Sequence, residues 1–359
     1  MWVGAPEITD KIHNLLLQTF LHYLRFILNW WRRKESPFSV CKNGNVINKR
    51  LNGLPFYWPP TWNESQAAPF LEQGQLCSWT VTIPQGYYAK LIISGETLDL
   101  DSYFQTIDSA GNLARTTHEG LEPYYFVSPK FQLVVSNDSP ATFAFKIIWL
   151  PLPPAVDLHY GIGFAGFVIN ATNTPYAHEY GASGITLLTF PENTTDLFSL
   201  RSVLVYEGND LKTANYISNL FLLYQTGKQW VSRTNGIVVV NLEASTSMDQ
   251  LLIQGSQYLT AIGEMVELRP ELNSIYTGAL QGGEKKSSLV SVADVKMRMV
   301  DVKMNLDATV AIYYGSPDVQ THDKTYTGEQ LKQALPLEFP GDFTQFVVSN
   351  GKAVFTFES

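Results

Sequence analysis

The first candidates for chemistry are the six residues from Gly161 to Gly166, which spell G-x-G-x-x-G. In dinucleotide-binding proteins this pattern joins a parallel strand to a helix, whose N-terminus meets the pyrophosphate. Here Pro153 and Pro154 stand shortly before the pattern, and the polar segment 170–175 follows where that helix should run. We therefore expect a β-hairpin or close strand packing at these glycines rather than a dinucleotide site.

No arrangement of nucleophile, acid or metal ligand stands out elsewhere in the sequence. The six histidines are scattered, without an H-x-H, HExxH or C-x-x-C pattern around them. Ser183 lies in Gly-Ala-Ser-Gly, which differs from the G-x-S-x-G elbow of hydrolases. Carboxylate pairs can be remote along a chain, so a glycosidase stays open as an alternative. We expect a protein that binds rather than catalyses.

Composition narrows the classes of protein and partner. With 45% hydrophobic and 16% charged residues, the chain of 359 residues can build cores and does not resemble a disordered protein. Its formal net charge is −8 and its one basic tract is residues 32–34. Nucleic acid is therefore not an expected partner, because phosphate binding needs clustered Lys and Arg. The length predicts two or three domains.

Residues 77–83 predict a strand with one buried face. Trp79, Val81 and Ile83 alternate with Ser and Thr residues, which is the period of two of a pleated strand. A Pro-x-Gly sequence follows and predicts a turn. Cys77 opens the segment, and the only other cysteine in the chain is Cys41.

This segment resembles the opening of a CUB domain, a β-sandwich module of extracellular proteins, through the pattern C-x-W-x-V-x-x-P-x-G. The aromatic and strand motifs around it resemble the nematode CUB-like family, and the resemblance covers residues 41–153. It implies an all-β fold of antiparallel, jelly-roll-type sandwiches and a Cys41–Cys77 disulfide. It also implies secretion and a role in innate immune or stress response at epithelial surfaces.

The resemblance also raises the question of calcium, since many CUB domains hold this ion in loops at one end of the sandwich. Such a site needs several oxygen ligands that converge. Ser94 stands where the family has a glutamate, and the candidate ligands here are Glu96, Asp101 and Asp138. We favour the alternative that these are ordinary turn residues, and we expect no other cofactor.

Three N-glycosylation sequons agree with an extracellular location. Asn63, Asn170 and Asn193 each open an Asn-x-Ser/Thr sequence in a turn-like context. A fourth sequon, at Asn137, is a poorer acceptor because Pro140 follows it. We expect glycans on the first three asparagines.

The aromatic run at residues 56–62 has two interpretations. Exposed aromatic side chains favour carbohydrate and protein interfaces, so the run could form a platform for a sugar. Packing against the core is the preferred interpretation, since a glycan on Asn63 would obstruct a ligand there. The expected ligand is a protein or a glycan, with microbial surfaces as one source.

The apolar segment at residues 12–31 conflicts with secretion. Its Arg25 would cost about 2.5–3.5 kcal/mol within a bilayer, and the basic flank 32–34 would hold the body in the cytoplasm. Tryptophans stand where a signal peptide has small residues. An interfacial helix, a signal anchor and a segment absent from the mature protein all remain open, and we favour the last for residues 1–40. The alternative function is a membrane-tethered adhesion or receptor-like protein anchored by residues 12–31.

Three parts of the chain repeat the same order of predicted elements: a strand, a glycine turn and, further along, a hairpin. The turn glycines Gly111, Gly208 and Gly315 lie about 100 residues apart, the size of one sandwich domain. An asparagine follows each glycine in a segment of alternating residues: Asn137, Asn235 and Asn350.

We therefore expect an N-terminal apolar helix in residues 1–40, then three CUB-like sandwiches at 41–153, 154–268 and 269–359. The proline-rich stretch 150–154 marks the first boundary, because proline stops strand ladders and helices alike. The alternative is one sandwich followed by less related β domains.

Overall fold

The computed structural model describes residues 41–99, 101–154, 159–227, 229–293, 295–340 and 342–359. The apolar helix and the membrane anchor considered for residues 1–40 lie outside these ranges. Strands dominate the described chain, which confirms the all-β fold class. The strands form six sheets, which pack in pairs as three sandwiches that follow one another along the chain.

The first sandwich contains ten strands. They are β1 (Asn45–Ile47), β2 (Phe56–Trp58), β3 (Phe70–Leu71), β4 (Gln75–Thr82), β5 (Tyr87–Thr97), β6 (Tyr103–Ile107), β7 (Leu113–Thr116), β8 (His118–Val127), β9 (Lys130–Asn137) and β10 (Ala141–Pro151). One sheet has the order β1-β4-β9-β6-β7, and the other has the order β2-β10-β5-β8 with β3 paired to β10.

The second sandwich contains nine described strands. They are β11 (His159–Gly161), β12 (Phe167–Asn170), β13 (Tyr176–Gly181), β14 (Ile185–Phe190), β15 (Val203–Glu207), β16 (Asn215–Asn219), β17 (Gln229–Val231), β18 (Gly236–Asn241) and β19 (Gln250–Gly255). The short 3-10 helix η1 (Phe198–Ser202) precedes β15, and α1 (Leu220–Gly227) precedes β17. The sheet orders are β11-β13-β18-β15-β16 and β12-β19-β14-β17.

The third sandwich repeats this plan. Its strands are β20 (Ile262–Leu268), β21 (Ile275–Gln281), β22 (Lys286–Ala293), β23 (Met297–Met304), β24 (Thr309–Tyr313), β25 (His322–Thr327), β26 (Leu337–Phe339), β27 (Asp342–Ser349) and β28 (Lys352–Glu358). The 3-10 helix η2 (Ser256–Tyr258) leads into it, and α2 (Gly328–Ala334) lies between β25 and β26. The sheet orders are β20-β22-β27-β24-β25 and β21-β28-β23-β26.

The three sandwiches therefore share one strand order, apart from the additional β3. In each of them the first strand pairs in parallel with its neighbour: β1 with β4, β11 with β13, and β20 with β22. Each of the expected antiparallel sandwiches thus carries one parallel pairing. It arises because the first strand enters at the sheet edge and crosses to the other sheet before the chain returns.

The repeated glycines occupy equivalent turns. Gly111, Gly208 and Gly315 come after the equivalent strands β6, β15 and β24, and their φ angles are 88°, 141° and 132°. Such positive φ angles favour glycine because it has no Cβ. The asparagine match is wrong in the second sandwich, since Asn235 precedes β18, whereas Asn137 ends β9 and Asn350 follows β27.

Strand pairing bears on both expected junctions and moves the second one. Strand β10 continues into the proline-rich stretch, where Pro151 pairs with Tyr87. Strand β20 pairs with β22 of the third sandwich, so that sandwich begins by Ile262 and not at residue 269.

The first core is built as the alternation predicts. Trp79, Val81 and Ile83 are buried, and the intervening Ser and Thr side chains are half-buried on the opposite face. The Trp79 ring packs edge-on against Trp58 and Phe145, with ring centroids 5.3 and 5.0 Å apart. Such aromatic clusters add about 0.5–1.5 kcal/mol per pair beyond the area that they bury.

The middle sandwich is buried on both sides. Strands β14, β18 and β19 have six residues each, and every one of these residues is buried. In β18, Val239 belongs to the core of the second sandwich, whereas Val238 packs with Tyr88 and Tyr125 of the first. In β19, Leu252 packs against Val290 and Val292 of the third. Strands covered on both faces lose the alternation of apolar and polar residues.

The buried Trp79 leads to a first prediction. Trp79→Ala should lower the free energy of unfolding by about 3–5 kcal/mol, because it leaves a cavity among aromatic rings. Denaturant titration of the purified chain measures this change. Thr80→Val on the opposite face is the control, and a larger loss for it than for Trp79→Ala would show that the register is wrong.

Candidate functional site

A cleft of about 370 Å³ lies where the first two sandwiches meet, and we call it the tyrosine cleft. Its lining includes three tyrosines, two leucines and one lysine: Tyr87, Leu152, Tyr206, Leu211, Lys212 and Tyr216. Its volume falls within the range of about 300–1,000 Å³ that is typical of small-ligand sites.

The first sandwich supplies one wall through the start of β5. The Pro-x-Gly turn before this strand is held by a hydrogen bond from the Leu152 amide to the carbonyl oxygen of Gly86, at 3.0 Å. Tyr87 is half-buried, and the Lys49 ammonium lies 4.7 Å from the centre of its ring. The turn and the strand thus fix the position of the Tyr87 ring.

The second sandwich supplies the facing wall from β15 and β16. The rings of Tyr206 and Tyr216 meet edge to face, with centroids 5.5 Å apart. The Tyr216 hydroxyl donates to Asp108 of the first sandwich at 3.0 Å. Burial, with Asp108 adding to it, raises the pKa of Tyr216 well above its ordinary value. Tyr216 therefore stays neutral and keeps this bond between the two sandwiches.

A buried ion pair also joins the two sandwiches, apart from the residues that line the cleft. The Arg201 guanidinium lies 3.4 Å from the Glu119 carboxylate, and the side chains are 4% and 3% exposed. Tyr124 donates to Glu119 and lies under the guanidinium, whose carbon is 3.8 Å from the ring centre. Desolvation by burial raises the pKa of Tyr124, so its hydroxyl remains a donor.

A second polar contact joins the same two sandwiches. Lys90 donates to Oε1 of Glu243 at 2.7 Å, and the Tyr125 hydroxyl donates to Oε2 at 2.6 Å. Tyr88 lies next to Tyr125, and burial together with the Glu243 charge raises the pKa of Tyr88 to about 12. The buried Arg201–Glu119 pair and the partly exposed contact of Glu243 with Lys90 and Tyr125 thus hold the first two sandwiches in one arrangement.

Aromatic rings and one lysine dominate the lining of the cleft. Lys212 is exposed, and the structure of the described residues gives its ammonium no ion pair. The described residues that line the cleft include no carboxylate, histidine or cysteine. Ring faces can pack against a ligand, while the tyrosine walls and the Lys212 ammonium give it polar contacts.

The two cysteines lie together, as the resemblance implied. Cys41 and Cys77 form a disulfide, with their Cα atoms 5.7 Å apart. The bond links the chain before β1 to the start of β4. It lies in the first sandwich and takes no part in the tyrosine cleft.

The structure does not bring the three calcium candidates together. Asp101 and Asp138 are exposed, Glu96 is half-buried, and the described residues include no group of three acidic, histidine or cysteine side chains that could hold a metal. The fully buried Ser102 connects these loops by hydrogen bonds. Its hydroxyl accepts from the Asp138 amide at 2.9 Å and donates to Asp99.

Hydrogen bonds, led by that from Ser139, lower the pKa of Asp99. Asp99 is thus a loop carboxylate held by several hydrogen bonds, and it was not among the calcium candidates taken from the sequence. A short Asp-x-x-Ser spacing is its sequence signal, since Asp99 accepts from the Ser102 amide at 2.6 Å.

The three sequons differ in their surroundings. Asn63 and Asn193 are exposed, and the Ser or Thr hydroxyl of each sequon donates to its asparagine. Asn170 is half-buried, and its Thr172 is fully buried and donates to the carbonyl of Ser247. Glycans on Asn63, Asn170 and Asn193 stay predictions.

The other sequence candidates have structural roles. In the aromatic run, Trp62 is buried and donates from its indole to the carbonyl of Gln66, and Trp58 packs on the core. The G-x-G-x-x-G segment leads from β11 into β12, and no helix follows it. In that segment the carbonyl of Phe164 accepts from the Ser316 amide at 2.8 Å, so the segment contacts the third sandwich.

Sequence reasoning missed the tyrosine cleft. Tyr87 and Tyr216 are far apart in the chain and meet only because the sandwiches dock. A local signal existed in Tyr206 and Tyr216, which flank a polar glycine turn at the end of a strand. It did not distinguish a ligand site from ordinary strand packing.

Residues 38–153 match the family model of the CUB-like domain. The protein contains a CUB-like domain. The matched residues cover the first sandwich and its disulfide, which lies where the family resemblance placed it. No curated protein matches the chain in a sequence comparison. Among the described residues, no helix has both the length and the hydropathy needed to cross a membrane.

Several solved structures align with this chain at low sequence identity. The CUB1-EGF-CUB2 domain of human MASP-1/3 aligns at 8% identity and a TM-score of 0.21, over 51% of this chain and 94% of that one. The full extracellular region of zebrafish Gpr126/Adgrg6 aligns at 9% identity and a TM-score of 0.24, over 89% and 53%. A triple jelly roll protein of an archaeal virus aligns at 10% identity and a TM-score of 0.19, over 81% and 82%.

The buried ion pair between the first two sandwiches leads to a second prediction. Arg201→Ala should lower the free energy of unfolding by about 3–5 kcal/mol, because it leaves the Glu119 charge buried without its partner. Arg298→Ala removes the exposed Arg298–Glu358 pair and should change stability little. Thermal and denaturant unfolding of both variants measure this difference. Equal effects of the two substitutions would contradict the assigned role of Arg201.

Proposed function

We propose that the protein is secreted and acts outside the cell as a non-enzymatic binding protein, with a carbohydrate ligand in the tyrosine cleft. The CUB-like domain supports this proposal, because such domains are typically extracellular binding modules. The disulfide agrees with an oxidising compartment. The observation that carries the proposal is the cleft itself, with three tyrosines on two docked sandwiches.

The chemistry of the cleft favours a sugar over other small ligands. Sugar rings have apolar C–H faces that pack on aromatic faces, and hydroxyl groups that bond to polar side chains at the edges. The cleft offers ring surface from Tyr87 and Tyr216, and a cation from Lys212 near the rim. A purely apolar ligand would make no polar contact with Lys212 at the rim.

The biological setting follows from the family resemblance and belongs to the same proposal. We infer a role in innate immune or stress response at epithelial surfaces, for which glycans of microbial surfaces are the ligands to test first. A protein ligand is the other outcome of such a test.

The third prediction concerns ligand binding in this cleft. Full-length protein recovered from the medium of secreting cells should bind a subset of glycans on an array of microbial polysaccharides. Tyr87→Ala should weaken that binding about tenfold, which corresponds to about 1.4 kcal/mol, because it removes one ring face. Calorimetric titration with the selected glycan measures the affinity.

Tyr103→Ala is the matched control for Tyr87→Ala. Tyr103 is also a half-buried tyrosine of the first sandwich with a cation over its ring, since the Arg115 guanidinium carbon lies 3.6 Å from the ring centre. It does not line the cleft. An equal loss of affinity in both variants, or no loss in Tyr87→Ala, would place the ligand elsewhere.

Membrane extraction tests the compartment separately. Recovery of the protein from the medium supports secretion. Pelleting that resists carbonate extraction would instead favour the membrane-tethered alternative, in which residues 12–31 act as an anchor.

A further inference from the structure

Asn193 stands on the rim of a groove between the second and third sandwiches, which we call the Asn193 groove. The groove has a volume of about 580 Å³. Pro191 and Tyr224 of the second sandwich and Tyr276 of the third contribute to its lining. The groove thus spans the junction of two domains and begins at a sequon.

The local geometry leaves the Asn193 side chain ready for modification. Asn193 is exposed, and its Oδ1 accepts both the Thr195 amide at 2.9 Å and the Thr195 hydroxyl at 2.7 Å. Both bonds use the oxygen. The nitrogen Nδ2, to which an N-linked glycan is attached, makes no hydrogen bond within the part of the chain that the structure describes.

The lining of the Asn193 groove fits a sugar. The half-buried Tyr276 gives ring surface, the largely buried Tyr224 and Pro191 give the edges of their rings, and Arg269 and Glu267 give polar atoms. The Arg269 guanidinium also donates to the carbonyl of Phe190 at 3.0 Å, so it already joins the two sandwiches. A ligand in this groove would contact both domains at once.

Asn193 also borders a second groove, on its other side. That groove is lined by Glu122, Asp196 and Ser247 among others, and Phe198 is its aromatic residue. Three carboxylates line each groove, but the Asn193 groove also has the Arg269 cation and two tyrosines, whereas the second groove has a single aromatic ring.

We propose that an N-linked glycan on Asn193 lies in the Asn193 groove, packs against both sandwiches and stabilises their docking. The proposal rests on the secretion that the proposed function assumes, because N-glycans are added in the secretory pathway. The glycan is then a structural part of the junction between the second and third sandwiches. Among the described side chains, fewer buried charges hold this junction than hold the junction between the first and second sandwiches.

Asn63 provides a matched control within the same chain. It is exposed, and Ser65 donates to its side-chain oxygen as Thr195 does to that of Asn193. Asn63 lies in the first sandwich and lines neither groove. A glycan there should extend into solvent.

The fourth prediction uses full-length protein secreted by eukaryotic cells. Treated with an amidase for N-glycans under native conditions, the protein should lose the Asn63 glycan several-fold faster than the Asn193 glycan, as measured by mass spectrometry. Asn193→Gln and Thr195→Ala should each raise hydrogen exchange in the segments that hold Tyr224 and Tyr276, and lower the melting temperature. Asn63→Gln should do neither, and Thr195→Ser should restore both the glycan and the protection.

The outcomes separate this inference from the proposed function. Equal rates of glycan release at the two sites, or unchanged exchange at Tyr224 and Tyr276 in Thr195→Ala, would overturn the inference and leave secretion intact. Secreted protein that is modified at Asn63 but not at Asn193 would overturn it as well. Protein that is neither secreted nor modified at either site would overturn both.

Discussion

In strand β18 the side chains of Val238 and Val239 point to opposite faces of one sheet, and both are fully buried. Val239 lies in the core of the middle sandwich, and Val238 lies against the first sandwich. The middle sandwich needs a neighbour on each side, because its outer faces are apolar and would otherwise contact water. Burying such a face gains about 25 cal/mol per Å² of apolar surface. The docking of three domains, and the grooves between them, depend on this burial.

Polar contacts then fix how the first two sandwiches meet. An apolar face alone would tolerate small rotations, but the Arg201–Glu119 pair and the Tyr216–Asp108 bond require particular positions. Breaking either would take one partner away from a buried polar group, and such losses are costly. The tyrosine cleft lies at the open end of this junction. Its walls come from two domains, so its shape is set by the docking and not by either domain alone.

The sequence predicted what lies within one strand or one turn. The alternation around Trp79 gave the buried face of β4, and the turn glycines Gly111, Gly208 and Gly315 marked equivalent turns in three sandwiches. The prediction from sequence failed where a residue is buried by contact with another domain. The continuous apolar run of β18 shows no alternation, which led to the wrong match at Asn235. The tyrosine cleft joins residues more than 100 positions apart, and no local pattern specifies such a meeting.

The central claim is that the outer face of the middle sandwich is as fully buried as its core. The most direct test is the loss in free energy of unfolding caused by Val238→Ala, measured by denaturant titration beside Val239→Ala. We predict similar losses, of about 1.5–3 kcal/mol each, because both remove two methyl groups from packed surroundings. No measurable loss in Val238→Ala, with the full loss in Val239→Ala, would mean that this face contacts solvent and that the domains do not dock as described.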